Sequence, residues 1–501
     1  MARSSPSVYS FDILHLTPKE AFQKIDTEIC TIQAYLHSLQ SLRNSLTPTS
    51  QIPIEILSKI FSFCQDYGEP STVEHVDFTT RLSISQVCKH WRATALSTPD
   101  LWTMISISER SNKDFIQELI TRSGSSNLSI NVVSTSPSAD VLAIDPPALP
   151  RIQHMRLEYT SGEEAVLLID EVFEQAAPIL SSLALSKLAL PINLPPFSTT
   201  YPQLRSLTLC SCLSRNITPL MTPTLTRLHI SRPNPCLPVS QFLAALVTLR
   251  NLEEIVFIQC FPYIPAGPHA RHIHLPHLNV LDFTESESTL FLFLRCLDNP
   301  QALVNITYLE DGLEDDFLQA LESYLSDTAL PLHHLTIFNN GKDLVVDIST
   351  AALQRRHHIY LPNQGHELPE PNNTTRILEI LNLTDLETLS ITELSKTSLE
   401  EIAALSKLTS LTLVGSLMLL EMFTTLASSK PGSGPNVHFP QLRHLILSNI
   451  ELTPRHNRNL SRALSTWRKG GRGLELLKFV NCANADRAAF VGLVDVVVFV
   501  T

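Results

Sequence analysis

The sequence predicts an α/β chain in which a long N-terminal helix and a small helical module precede a solenoid of short parallel strands alternating with helices. Three patterns carry that expectation. Apolar residues keep a four-and-three spacing from Ile25 to Leu46. Two apolar stripes at the helical period lie between Gln51 and Ile105. From Arg151 onward, an apolar hexad of the form Leu-x-x-Leu-x-Leu, with Ile, Met, Phe or Tyr as substitutes, returns along the rest of the chain.

The first segment, 17–46, opens on Thr17-Pro18 with Glu20 three residues after the threonine, a capping-box pattern at a helix start. Ile25, Ile29, Ile32, Leu36, Leu39 and Leu46 then form a coiled-coil-like seam, with Arg43 its one polar member. Two readings stay open: the helix folds back on the adjoining module or domain, or it associates with a second copy of the chain. Thr47-Pro48-Thr49-Ser50 links it onward.

Pro53 stands where a proline can open a helix, because its missing N–H would be unpaired there anyway. Ile56, Leu57, Ile60, Phe61 and Cys64 follow as one stripe, and Ile84, Val87, Cys88, Trp91 and Ala95 as a second, with Lys89, His90 and Arg92 opposite. The second helix is expected to stop before Ser97-Thr98-Pro99-Asp100, and Leu101-Trp102 returns to apolar cover. Some fifty residues bury little surface alone, so helices this apolar need a further partner.

These blocks resemble the F-box, the helical module by which substrate receptors dock on the Skp-type adaptor of SCF ubiquitin ligases. The matching residues are Ile52-Pro53-Ile54-Glu55-Ile56-Leu57 with Ile60-Phe61, then Val87-Cys88-Lys89-His90-Trp91-Arg92, then Pro99-Asp100-Leu101-Trp102. Ile52 replaces the usual leucine, and 65–80 is longer than a minimal F-box needs. The resemblance, over 51–105, implies that Pro53, Ile56, Leu57, Ile60, Val87 and Trp91 form or support an adaptor-facing surface.

After a connection at 106–148 with a short helix, the hexads begin at 152, 180, 204, 225, 252, 278, 303, 332, 386, 408, 442 and 474. The gap of 54 between the eighth and ninth is twice 27, so a degenerate repeat is expected near His357-His358-Ile359-Tyr360-Leu361. A period in the twenties with this core is the leucine-rich-repeat signature, and it makes 149–501 one array. Cys212, Cys260, Asn340 and Cys482 stand where the chain leaves a strand and are expected to be structural. Helices are expected at 163–177, 240–249, 289–297, 315–325, 398–405, 417–427 and 460–467, with Ser398-Leu399-Glu400-Glu401 capping the fifth.

If the leucines point inward, the alternate strand residues face the concave surface. Most are Ser or Thr. The exceptions Arg227, His229, Glu254, Asp282, His334, Phe338 and His444 are the candidate contacts to a protein substrate.

Composition narrows the function. A net charge of −12 with no basic stripe argues against nucleic acid as a partner. No apolar run approaches a bilayer span, no apolar leader opens the chain, and nine dispersed cysteines suit reduced thiols, so a soluble cytoplasmic or nuclear protein is expected. The His-rich stretch 268–277 lacks interleaved Cys or carboxylate partners, so no metal is assigned to it. No phosphate loop, His-Glu-x-x-His or Gly-x-Ser-x-Gly motif occurs, so neither a cofactor nor catalysis is expected. Helical module and repeats together are similar to fungal F-box proteins with leucine-rich repeats. That similarity implies a non-enzymatic substrate receptor bound to adaptor and cullin; the alternative is a repeat scaffold acting outside a ubiquitin ligase. The apolar end, Val491 to Val500, calls either for cover or for further repeats.

Overall fold

The computed structural model describes residues 16–63, 78–108, 111–134, 146–159, 177–188, 190, 196–213, 217–236, 239–261, 273–285, 296, 303–308, 322, 332–339, 343–349, 356–362, 377–392, 396–428 and 438–500. The chain divides into two compact units, 1–132 with 143–152 and 133–142 with 153–501.

The first unit opens with α1 (Pro18–Ser45), capped as the sequence indicates: Glu20 N–H donates to Thr17 Oγ1, and the Glu20 carboxylate accepts from Thr17 N–H at 2.9 Å. A short turn (Pro48–Gln51) leads into α2 (Ile54–Phe63), whose first intrahelical bond runs from Leu57 N–H to the Pro53 carbonyl at 2.9 Å. The stripe from Ile84 to Ala95 is not one helix. It is broken into α3 (Phe78–Gln86) and α4 (Lys89–Leu96), because Cys88 adopts an extended backbone (φ −159°) and caps α4, its Sγ accepting from Trp91 N–H at 3.5 Å. The expected stop holds: α4 ends at Leu96 and Pro99–Trp102 makes one tight turn. The stretch expected as a connection carries β1 (Met104–Ser108), α5 (Lys113–Arg122), capped by Asn112, and β2 (Leu128–Ser134), which pairs with β1. Helix α5 packs on β1, and Ile105, Ile107, Ile116, Leu119 and Ile120 are all buried. Segment 65–77 lies outside the described residues.

In the second unit β3 (Ile152–Tyr159), β4 (Ser182–Ser186), β5 (Ser206–Cys210), β6 (Arg227–Ser231), β7 (Glu254–Ile258), β8 (Val280–Glu285) and β9 (Leu303–Tyr308) pair parallel in chain order. One inward ladder runs Met155, Leu183, Leu207, Leu228, Ile255, Leu281, Val304, and the next Leu157, Leu185, Leu209, Ile230, Phe257, Phe283, Ile306; all are buried. The hexad read from 303 is therefore out of frame by two residues: Val304 and Ile306, not Ile306 and Tyr308, take the ladder positions.

The expected degenerate repeat is a strand, β12 (Arg356–Pro362), but it does not follow the stack in chain order. It pairs parallel with β9, while β11 (Asp343–Ser349) lies antiparallel between it and β10 (His334–Asn339). The spatial order is thus β9, β12, β11, β10, and parallel stacking in chain order resumes from β10 with β13 (Thr388–Ile391), β14 (Ser410–Val414), β15 (His444–Ser448), β16 (Leu476–Val480) and β17 (Val496–Val500).

The described helices of this unit include α6 (Phe197–Thr200), α7 (Val239–Leu246), α8 (Lys396–Ala403), α9 (Leu417–Ala427) and α10 (Pro454–Lys469). Ser398 is not a cap: α8 begins two residues earlier and Ser398 is buried within it. Helix α10 begins well before 460, because Thr453 and His456 form its capping box and Pro454 opens it, while the polar Arg455-His456-Asn457-Arg458 turn hides the apolar period. The segments at 163–176, 289–295 and 315–321 lie outside the described residues.

Among the described residues, seven strands close on the same device. The residue after the strand adopts a left-handed backbone at Lys187, Ser211, Arg232, Gln259, Gly415, Asn449 and Asn481. Its N–H then donates to a carbonyl at the end of the next strand, as from Ser211 to Ser231 at 2.7 Å and from Asn481 to Val500 at 2.8 Å. The thiols of Cys212, Cys260 and Cys482 follow directly and donate to Leu185, Ile230 and Leu447 carbonyls of the preceding strand at 3.3, 3.0 and 3.2 Å. Satisfying an interior carbonyl is the structural role expected of these cysteines. Burial pushes the Cys212 thiol up to about 11. Asn340 lies outside the described residues.

Candidate functional site

Two surfaces carry the residues singled out from the sequence. The first is the helical module around α2 and α4. Residues at i and i+4 share a helix face, and neighbours are turned by about 100°, so the α2 stripe divides in two. Leu57 and Phe61 are buried, with the Trp91 ring against Phe61 at 5.2 Å. Ile56, Ile60 and Phe63 take the adjacent face and are 52, 41 and 73% exposed. Val87, at the break between α3 and α4, is 57% exposed.

The inner face is held from several sides. The Trp102 indole, fully buried, donates Nε1–H to the Ala95 carbonyl at 2.8 Å, and the Arg122 guanidinium covers its ring at 5.1 Å. Thr98 Oγ1 bonds both the Thr94 carbonyl (2.7 Å) and Ser58 Oγ (2.9 Å), tying the end of α4 to α2. His90 Nε2 lies 3.4 Å from the Ile52 carbonyl, so His90 does not simply face solvent. Buried Arg81 donates to the Met104 carbonyl at 2.6 Å. The module is thus rigidly packed inside while presenting apolar side chains outward, the combination expected of a docking face.

Of the six positions the resemblance implies, Pro53, Ile56, Ile60 and Val87 are exposed, Trp91 is half-buried, and Leu57 is interior support. Phe63 was missed, although its i+7 spacing from Ile56 marks the same face.

The second surface is the sheet face opposite the leucine ladders. Arg227 and Glu254 are paired across β6 and β7 at 3.7 Å, and His229 and Asp282 share one cross-strand row two strands apart. Burial lowers the His229 imidazole below its ordinary value, opposed by the charges of Asp282 and Glu254. These four residues form one cluster. His334 and His444 share a row that runs His334, Thr388, Ser410, His444 farther along the sheet. Three strands, β9, β12 and β11, separate β8 from β10, so the two groups stand about 19 Å apart at the usual strand spacing. His334 Nδ1 contacts Thr388 Oγ1, and His444 Nε2 faces Glu475 at 3.6 Å beside the Arg443–Glu475 pair at 3.0 Å. The Phe338 side chain lies outside the described residues. Among the described residues no three metal-ligating groups come together, and no helix is long and apolar enough to cross a membrane.

No curated protein matches the chain. Residues 49–108 match the F-box-like family model, a span that begins in the turn before α2 and ends with β1, and so encloses the apolar face of Ile56, Ile60, Phe63 and Val87. The chain therefore carries an F-box-like domain, a protein-interaction module that typically binds Skp-type adaptors.

Proposed function

We propose that the chain is the substrate-recognition subunit of an SCF-type ubiquitin ligase. The F-box-like helices dock on a Skp-type adaptor, which carries the cullin scaffold, and the second unit, read as a leucine-rich-repeat array, holds a protein substrate on the Arg227–His229–Glu254–Asp282 face. The observation that carries this reading is an apolar face left open on a module whose interior is already filled by Leu57, Phe61 and Trp102. In-register leucine ladders and the recurrent left-handed turns support the repeat reading. On this reading the chain contributes proximity and orientation, a partner enzyme makes the isopeptide bond, and the work is done in the cytoplasm or nucleus.

The test is co-expression of the full chain with a Skp-type adaptor and cullin, followed by size-exclusion chromatography. Wild type is expected to co-elute, and Val87→Glu, which places a charge on the open face, to elute alone while still folded. A wild-type chain that elutes alone overturns the ligase reading in favour of a scaffold.

A further inference from the structure

Helix α1 spans 28 residues, about 42 Å at the usual rise, and none of its side chains is buried. Yet Phe22, Ile29, Ile32, Leu36, Leu39 and Leu46, which share the seam with half-buried Ile25 and with Arg43, are 45 to 72% exposed. An amphipathic helix of this kind draws its stability from packing, so its apolar stripe requires an occupant. Charge placement identifies that occupant and its direction. The seam's one cation is Arg43, toward the C-terminal end, whereas the acids flanking the seam, Asp26 and Glu28, lie toward the N-terminal end.

We propose that α1 pairs with α1 of a second copy as an antiparallel two-stranded coiled coil. In a parallel in-register pair Arg43 would face Arg43, a like-charge contact within an apolar seam. Reversing one helix removes it. The register that then aligns the apolar seam sets Phe22 against Leu46, Ile29 against Leu39 and Ile32 against Leu36, each pairing occurring twice about the twofold axis. It also brings Arg43 opposite Ile25, between Asp26 and Glu28 of the second copy. No two like charges then meet across the seam: Gln33 approaches Gln33 and Tyr35 approaches Tyr35 at the axis. Because the chain passes from Ser45 through a short turn directly into α2, the pair carries its two F-box-like modules at opposite ends of the rod. Dimerisation would thus present two adaptor-docking faces without either helix covering the other's module. The proposal does not depend on adaptor binding.

The experiment is light scattering of the full chain across micromolar concentrations, read against the monomer mass of 55.8 kDa. A doubled mass is expected for wild type and a single mass for Ile32→Glu with Leu36→Glu, with helicity and adaptor binding followed as folding controls. Arg43→Glu is expected to weaken the dimer at least tenfold, and adding Asp26→Lys with Glu28→Lys to restore it. In a Cys30→Ser background, mixing copies carrying Phe22→Cys and Leu46→Cys should give a 22-to-46 cross-linked peptide by mass spectrometry. A monomeric wild type overturns the proposal, as does a dimer indifferent to the seam variants. Cross-links of 22 to 22 and 46 to 46 alone, or a dimer tightened by Arg43→Glu, overturn the antiparallel direction.

Discussion

The division of α2 into an inner and an outer face can be tested by substituting each separately. Ile56→Ser with Ile60→Ser removes apolar surface from the outer face. Full burial of such a side chain is worth about 1.5–3 kcal/mol, and 52% and 41% exposure leaves roughly half of that to be gained on docking. About 1 kcal/mol per residue, or roughly 2 together, corresponds to an approximately 30-fold weaker Kd for a Skp-type adaptor. Stability should barely move, because exposed substitutions usually change it by less than about 0.5 kcal/mol. Leu57→Ala is the converse: its site is fully buried, so about 2–5 kcal/mol of stability is lost. Isothermal titration of the full chain with the adaptor, together with thermal unfolding, reads both quantities. An affinity within threefold of wild type for the double variant, or an unfolding shift as large as that of Leu57→Ala, would refute the two-face assignment.

Three further outcomes can be checked. Thr453→Ala removes the α10 cap, whose Oγ1 accepts from His456 N–H, and should cost about 1 kcal/mol in denaturant unfolding. Burial lowers the imidazoles of His154 and His229, so below their ordinary value near 6.5 the unfolded chain takes up protons that the folded chain does not. The stability these groups contribute is therefore full above about pH 6.5 and lost as the pH falls through it; His154→Gln with His229→Gln should flatten the melting temperature between pH 7.5 and 5.5. Alkylation of the native chain at pH 8 should modify exposed Cys30 and Cys236 within minutes but spare buried Cys212 and Cys260 until denaturant is added, as read by peptide mass spectrometry.

The helical module was legible in the sequence because helical periodicity and proline stops are local signals: the Pro53 opening and the stop before Pro99 stand where they were expected. Its interruption at Cys88 was not. Ile84, Val87, Cys88 and Trp91 satisfy a continuous helical spacing equally well, and only the extended backbone of Cys88 shows the break. The same limit explains why the outward apolar residues could not be told from the inner ones. Ile56 and Leu57 are equally apolar, and only the packing of the folded module, with Trp91 against Phe61 on the Leu57 side, shows which one is covered.

For the strands, the amino-acid pattern alone determined which residues face inward, since a period of two fixes parity: even the misframed hexad at 303 kept the right face. It also located the helices at 417–427 and 17–46 and the interior cysteines, because these rest on local spacing. Strand direction and neighbour order were decided by tertiary structure. An antiparallel strand such as β11 has the same alternation as a parallel one, so nothing in 334–362 announced that β12 would return beside β9. The left-handed residues after the strands were likewise unreadable, since Lys187, Arg232 and Gln259 adopt that conformation while donating a hydrogen bond to the next strand and not through any preference of their own. Local chemistry thus set what each segment is, and only long-range pairing set where it lies.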